Sequence, residues 1–385
     1  MNLSHSLDRL GTETAFEVLA RARALEAQGR TIVHLGIGAP DFDTPQHIKD
    51  ACAKALADGN TAYCEAQGLP ALREACSEYL SRTRGIEVLP QRVVVTPGAK
   101  PFLGYAVLAT CNPGDEVIYP NPGFPIYESV IRYFGAVPVP LPLREERGFT
   151  FTADDLAERV TPRTKLVILN SPANPTGGVT TPEQTAAIAR VLEASDAWIL
   201  SDEVYSEMVY DGAHDSVAAH GLLDRTILVD GFSKTFAMTG WRLGYAAVPE
   251  PLVEPLTRLI VNTVSCTPPA IQLAGVAALT GSWDEPRAMI EEFRRRREVV
   301  VAGLNALPGI TCVMPEGAFY AFPNVTGTGM PAREFASRCL EEAGVAVVAG
   351  TSFGEYGEGY LRVSYANSVE NIERGLESIG QLLSR

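Results

Sequence analysis

Lysine is scarce in this chain. Of its 32 basic residues only those at positions 49, 54, 100, 165 and 234 are lysines, and the rest are arginines. Histidine is scarce too: His5, His34, His47, His214 and His220 form no HxxxH or other ligand spacing. The 7 cysteines, scattered from Cys52 to Cys339, form no CxxC pair. These absences exclude a zinc site, a metal-dependent hydrolase and a disulfide framework as readings, so no metal is expected. No apolar run is long enough to cross a bilayer. The opening MNLSHSLDRL lacks the basic and apolar regions of a secretory leader, so the expected location is cytoplasmic. Acidic residues outnumber basic ones by 46 to 32, giving a net charge of −14, which sets nucleic acid and anionic membranes aside as partners. No GxxxxGK[ST] phosphate loop occurs. Gly36-Ile37-Gly38 is not a dinucleotide fingerprint, because Asp41 stands where the third glycine belongs.

What remains is an ordinary globular composition, 46% hydrophobic and 20% charged over 385 residues, enough chain for a large and a small lobe. Short β-branched runs bounded by Gly, Pro and Asn predict strands at 92–96, 116–119, 166–170, 198–201, 226–230 and 243–248. Helical patterns fall between them, at 69–81, 101–111, 182–194 and 251–261. Such alternation predicts an α/β fold with a mostly parallel sheet flanked by helices. The pattern changes near residue 282. A long charged helix (285–307) leads to short strands at 311–314, 319–322, 345–348 and 361–364 and a closing helix at 369–383. The expected division is a large domain, 41–282, and a smaller α+β domain built from 1–40 and 283–385. The first 40 residues, with a helix at 14–26 and a strand at 31–35, are expected to pack on the smaller lobe.

Ligands of open α/β sheets bind at the carboxyl ends of the strands, so the residues that follow each strand matter most. The first strand runs into Pro97-Gly98-Ala99-Lys100, a turn that opens a helix and suits a phosphate. After 166–170 comes Ser171-Pro-Ala-Asn-Pro-Thr-Gly177, and after 198–201 comes Asp202-Glu203-Val204-Tyr205. After 226–230 comes Gly231-Phe232-Ser233-Lys234, then Thr239-Gly240-Trp241-Arg242-Leu243-Gly244. Each is an ordinary turn or cap when taken alone. Together they bring an amine, a carboxylate, a phenol, an amide and a phosphate cradle to one sheet edge. A lysine retained where arginine has replaced nearly all others can form a Schiff base, which a guanidinium cannot. Pyridoxal 5'-phosphate needs this set: an amine for its aldehyde, an anion for its ring nitrogen and donors for its phosphate.

The stretch Gly231–Gly244, GFSKTFAMTGWRLG, resembles the lysine-attachment signature of the fold type I, class I/II pyridoxal-phosphate-dependent aminotransferases. The resemblance extends from Leu35-Gly-Ile-Gly-Ala-Pro-Asp-Phe42 to Tyr360-Leu-Arg-Val-Ser364. It implies a large domain with a seven-stranded sheet and a ping-pong exchange between an L-α-amino acid and a 2-oxo acid. It also implies a homodimer with shared sites. By the same resemblance Lys234 forms the Schiff base and moves the proton, Asp202 faces the ring nitrogen, and Tyr205 and Asn174 bond the ring oxygen. Phe124 stacks on the ring. Gly98, Ala99, Lys100, Ser233 and Arg242 hold the phosphate, with Tyr63 supplied by a neighbouring subunit. Arg362, Asn174 and the Gly38 backbone hold the substrate carboxylate, while Tyr127 and Trp241 are expected to pack. Two departures stand out: Ala39 replaces a frequent Glu, and 261–268 contains no arginine, Asn262 standing where relatives place one for a distal carboxylate. Lys100 is the cation that could replace it. A lyase or cyclase would share every one of these cofactor residues, and stays open at this point. A non-catalytic sensor would need an added DNA-binding domain that the chain has no room for.

Overall fold

The computed structural model describes residues 3–384. In chain order its first half contains α1 (Thr14–Glu26), β1 (Val33–His34), α2 (Gln46–Ala57), α3 (Pro70–Arg84), β2 (Val93–Thr96), α4 (Pro101–Thr110), β3 (Glu116–Asn121), α5 (Ile126–Tyr133), β4 (Val137–Pro142), α6 (Ala153–Ala157), β5 (Thr164–Asn170), α7 (Pro182–Glu193) and β6 (Trp198–Asp202). There follow β7 (Thr226–Gly231), β8 (Gly244–Ala247), α8 (Glu250–Thr263), α9 (Pro269–Thr280), α10 (Asp284–Asn305), β9 (Tyr320–Ala321), α11 (Ala332–Glu341), β10 (Val345–Ala346), β11 (Val348–Ala349), β12 (Leu361–Ser364) and α12 (Val369–Leu383). None of the described helices is long and apolar enough to cross a membrane.

The main sheet has seven strands in the order β2-β8-β7-β6-β5-β3-β4. All run parallel except β8, which is antiparallel to both β2 and β7. Helices cover both faces, and β2, β3, β7 and β8 are buried along their whole length. That double burial is why they read in sequence as continuous apolar runs rather than alternating ones. β4 was not among the expected strands, because its sequence, VPVPLP, alternates with proline. It lies at the sheet's edge, where Val137 donates to Asp115 in the turn before β3, so the prolines fall on the open side and cost the sheet no hydrogen bond.

Two further sheets are small: β1 pairs with β10 in parallel, and β11-β12-β9 form an antiparallel group. The expected strand at 311–314 is reduced to one bridge, Thr311 to Asn324, and the expected strand at 345–348 splits into β10 and β11. α1, within the 40 residues expected to pack on the smaller lobe, packs through Ala22 on Leu340 and Ala346. Residues 5–11 depart from that expectation and lie against α5, with Arg9 donating to the Tyr133 carbonyl (3.1 Å) and the Gly11 N–H to Ser129 Oγ (2.9 Å).

Behind the sheet edge lies a sealed ionic cluster. Arg84, at the end of α3, donates through Nε to Glu203 (2.8 Å) and through a terminal nitrogen to Asp230 (2.8 Å). His214 also reaches Glu203 (2.8 Å), and Ser216 donates to it (2.6 Å). Burial alone would raise the Glu203 carboxyl, but His214 and Arg84 hold it far below the usual range. Removing one member strands the other's charge in a low dielectric. Arg84→Met is therefore expected to cost about 3–5 kcal/mol, read as a lower urea midpoint. A loss below about 1 kcal/mol would show that the cluster is not needed.

Candidate active site

The strands β2, β3, β5, β6 and β7 all point their carboxyl ends at one edge, closing with Thr96, Asn121, Asn170, Asp202 and Gly231. A cavity of about 600 Å³ opens along it. Its lining includes Gly38, Ala99, Lys100, Phe124, Asn174, Asp202, Tyr205, Ser233, Lys234, Arg242 and Arg362. Most of the residues singled out in the sequence thus come together. Tyr63 does not: it lies outside this cavity with 88% of its surface exposed.

The turn after β2 depends on missing side chains. Gly98 has φ +84°, and a Cβ there would lie 2.3 Å from the Arg242 guanidinium. A Cβ on Gly244 would lie 2.3 Å from the Ala99 nitrogen. Without these atoms the start of α4 sits directly on the end of β8, beside Arg242. Among the described residues the N–H groups of Ala99 and Lys100 find no protein acceptor, as befits the open end of a helix.

Asp202 ends β6, buried. It accepts from Tyr127 Oη at 2.7 Å and from the Val204 N–H at 3.5 Å, but among the described residues no ion pair reaches it. Burial therefore raises its pKa to about 6, against the pull of the Tyr127 hydroxyl. Lys234 Nζ donates to the Gly38 carbonyl at 2.5 Å and lies 5.6 Å from the ring centroids of Tyr205 and Phe319. Burial, with the Arg362 guanidinium nearby, lowers its pKa to about 8.

Arg362 comes from β12 and is buried. One terminal nitrogen donates to Asn174 Oδ1 (3.0 Å) and the other to the Gly36 carbonyl (2.6 Å), while Tyr320 and Phe353 each place a ring centroid 4.7 Å from the guanidinium carbon. Its Nε is buried without a partner among the described residues. The Gly36 carbonyl thus accepts from the arginine and the Gly38 carbonyl from the lysine.

Against this geometry the likeness to known proteins is decisive. The model of aminotransferase classes I and II matches residues 30–379. The aspartate aminotransferase of Pyrococcus horikoshii is 40% identical over 95% of this chain and 93% of its own. Aromatic-amino-acid aminotransferase 2 of Thermococcus litoralis is 39% identical over 100% of this chain and 98% of its own. The crystal structure of the aspartate aminotransferase from Rhizobium meliloti superposes with a TM-score of 0.95 at 36% identity, covering 100% of this chain and 99% of that one. The chain belongs to the class I and II aminotransferases. It is a pyridoxal-phosphate-dependent enzyme that transfers amino groups between amino acids and 2-oxo acids. The relatives' activities favour transfer over the elimination or cyclisation that the cofactor residues alone left open.

The residues present in this aminotransferase fit the cofactor. Asp202 is a buried carboxylate without a cation among the described residues, Lys234 a half-buried amine whose pKa is lowered, and the N–H groups of Ala99 and Lys100 are open donors beside the Arg242 guanidinium. Sequence reasoning missed several residues of the lining. Tyr127 was taken as packing, yet its hydroxyl is the strongest partner of Asp202. Asn170 links Asn174 to Asp202: its Oδ1 accepts the Asn174 N–H (2.9 Å) and its Nδ2 donates to the Asp202 carbonyl (3.0 Å). The Tyr320 hydroxyl lies 2.7 Å from that of Tyr205. The Asn at the end of β5 was the one available signal, as it interrupts an apolar run at a carboxyl end. Trp241 packs as expected, its Nε1 donating to Thr44 Oγ1 (3.0 Å).

The raised Asp202 pKa has a consequence for stability. The native carboxyl binds its proton more tightly than the unfolded one, so its contribution falls as pH rises from 3.8 to about 6. Asp202→Asn is expected to stabilise the cofactor-free protein above pH 6, by about 3 kcal/mol at most, with no gain at pH 4. Denaturant titrations of both proteins at the two pH values check this; a gain of equal size at both would refute it.

Proposed function

We propose that this aminotransferase works through Lys234, Asp202 and Arg362, with the remaining lining residues as binding and orienting groups. When bound, pyridoxal phosphate supplies an aldehyde that condenses with amines and a ring that accepts the electron pair released at Cα. Lys234 is the point of attachment and, once displaced by the amino acid, the general base. Its Nζ takes the Cα proton and later returns it, and a pKa near 8 leaves part of the amine free at neutral pH. Asp202 supplies the anion that keeps the ring nitrogen protonated, and Tyr127 orients that carboxylate. Tyr205 and Asn174 donate to the ring oxygen, and Phe124 covers the ring. The backbone of Gly98, Ala99 and Lys100, with Ser233 and Arg242, receives the phosphate.

Arg362 binds the substrate α-carboxylate as a two-pronged donor. Its orphaned Nε and its anchoring by Asn174 and Gly36 support that role, because the guanidinium is already held in place before substrate arrives. Fixing the carboxylate orients the Cα–H bond toward Lys234. The first product, a 2-oxo acid, leaves before the second 2-oxo acid enters the same cavity.

The working unit proposed is a homodimer. The 88% exposure of Tyr63, a large aromatic side chain outside the cavity of its own chain, supports it. Cys64, next to Tyr63, approaches the Thr267 carbonyl at 3.4 Å, which ties that segment to the connection between α8 and α9. Tyr63 then serves the phosphate of the partner's site.

The observation that carries this reading is the convergence in one cavity of a half-buried Lys234 with the buried Asp202 and Arg362. The visible spectrum of the purified protein tests it: an amino acid should bleach the Schiff-base band and 2-oxoglutarate or pyruvate should restore it. A band that donors change but no oxo acid restores would contradict amino transfer. Lys234→Ala should abolish the band's covalent character and lower turnover roughly 10²–10⁴-fold or more. Arg362→Ala should weaken amino-acid binding at least roughly 30-fold while leaving the cofactor spectrum in place. For the dimer, equilibrium sedimentation should return twice the chain mass, and Tyr63→Ala should loosen the cofactor; a monomer with full activity would refute sharing.

A further inference from the structure

One wall of the cavity is built from Glu13, Ala15, Phe16, Ile37, Ala39 and Lys100. Glu13 stands at the N-cap of α1, a position where a side-chain oxygen commonly satisfies the helix's free N–H groups. It makes no such bond. Its carboxylate instead pairs with Lys100 Nζ, across 87 residues of chain. The same ammonium lies 5.3 Å from the ring centroid of Phe124. Glu13 lines the same cavity as Lys234, Arg362 and Tyr320.

The cations of this lining are Lys100, Lys234, Arg242 and Arg362, and among the described residues only Lys100 is matched by a carboxylate. The roles proposed above commit the other three to cofactor and α-carboxylate. A substrate with a second carboxylate would need Lys100, which Glu13 already neutralises. To reach it, that carboxylate must approach Glu13 or displace it. A substrate with an uncharged side chain meets apolar groups and a closed ion pair, and disturbs nothing.

We infer that Glu13 sets the side-chain preference of this enzyme: by holding Lys100 in an ion pair at the cavity wall, it selects against dicarboxylic amino acids and for those with uncharged, apolar or aromatic side chains. The inference rests on the site roles proposed for Arg362 and Lys234.

Two ligands that cannot react test it, succinate and 3-phenylpropanoate, titrated calorimetrically into the cofactor-loaded enzyme. The wild type should bind 3-phenylpropanoate more tightly than succinate. In Glu13→Gln the ratio of the two dissociation constants should move at least tenfold toward succinate. In Glu13→Gln combined with Lys100→Met that movement should disappear, because the freed ammonium is what the second carboxylate gains. The inference is overturned if the wild type prefers succinate, if Glu13→Gln leaves the ratio unmoved, or if the movement survives the loss of Lys100. Arg362→Ala separates the two levels of argument. If it weakens neither ligand, the site reading fails and the inference with it. If it weakens both and the Glu13→Gln ratio stays fixed, the site reading stands and only the role of Glu13 falls. Single-turnover rates with aspartate and phenylalanine should show the same shift in ratio.

Discussion

A carboxylate buried at the end of an interior strand without a cation of its own is costly, and the cavity is arranged around that cost. Asp202 and Glu203 are consecutive acids, both buried, with opposite fates. Glu203 points into the sealed cluster of Arg84, His214 and Ser216, which outweighs its desolvation. Asp202 receives only hydroxyl and backbone donors, and its proton affinity rises accordingly. The difference is a matter of strand geometry, since neighbouring side chains leave a strand on opposite faces. One of the two acids is neutralised by the protein's own cations; the other faces the cavity with hydroxyl and backbone donors.

The same economy governs the rest of the edge. Parallel strands deliver their carboxyl ends together, so the turn after β2 and the strand ends of β5, β6 and β7 meet without long loops. What lets them meet closely is the absence of Cβ atoms at Gly98 and Gly244, where backbone and guanidinium occupy the space. The helix that starts after Gly98 then presents open N–H groups to the cavity rather than to solvent.

Much of this is legible in the sequence, for physical reasons that also mark the limit. Strands buried on both faces declare themselves as apolar runs, and the residues that follow each run are where chemistry collects; Asp202 and Lys234 were readable on that basis together with the attachment signature, and Arg362 through the family resemblance alone. β4 was not, since its prolines argue against a strand unless it is known to lie at an edge. Tyr127, Asn170 and Tyr320 were missed because each acts through a partner on another segment: Tyr127 on Asp202 75 residues away, Tyr320 on Tyr205 115 residues away. An aromatic at helical spacing carries no local mark of a hydroxyl that is committed elsewhere. Glu13 was invisible for the same reason, being an acid near a helix start whose partner lies on α4's threshold.

The two halves of the cavity differ in how they are fixed. The half that carries Asp202 and Lys234 hangs on consecutive strands of one sheet, whose register is set by backbone hydrogen bonds. The half around Arg362 is assembled from segments far apart in sequence: Arg362 on β12 reaches Gly36 across 326 residues and Asn174 across 188. Glu13 and Lys100 join from two more. A change in the first half disturbs the sheet and every residue it carries. A change in the second alters one wall and leaves the lysine, the carboxylate and the phosphate cradle in register. Side-chain selectivity can therefore vary on this scaffold independently of the chemistry, and the segment before α1, anchored on α5 at one end and on Lys100 at the other, is the part of the wall with the fewest constraints from the sheet.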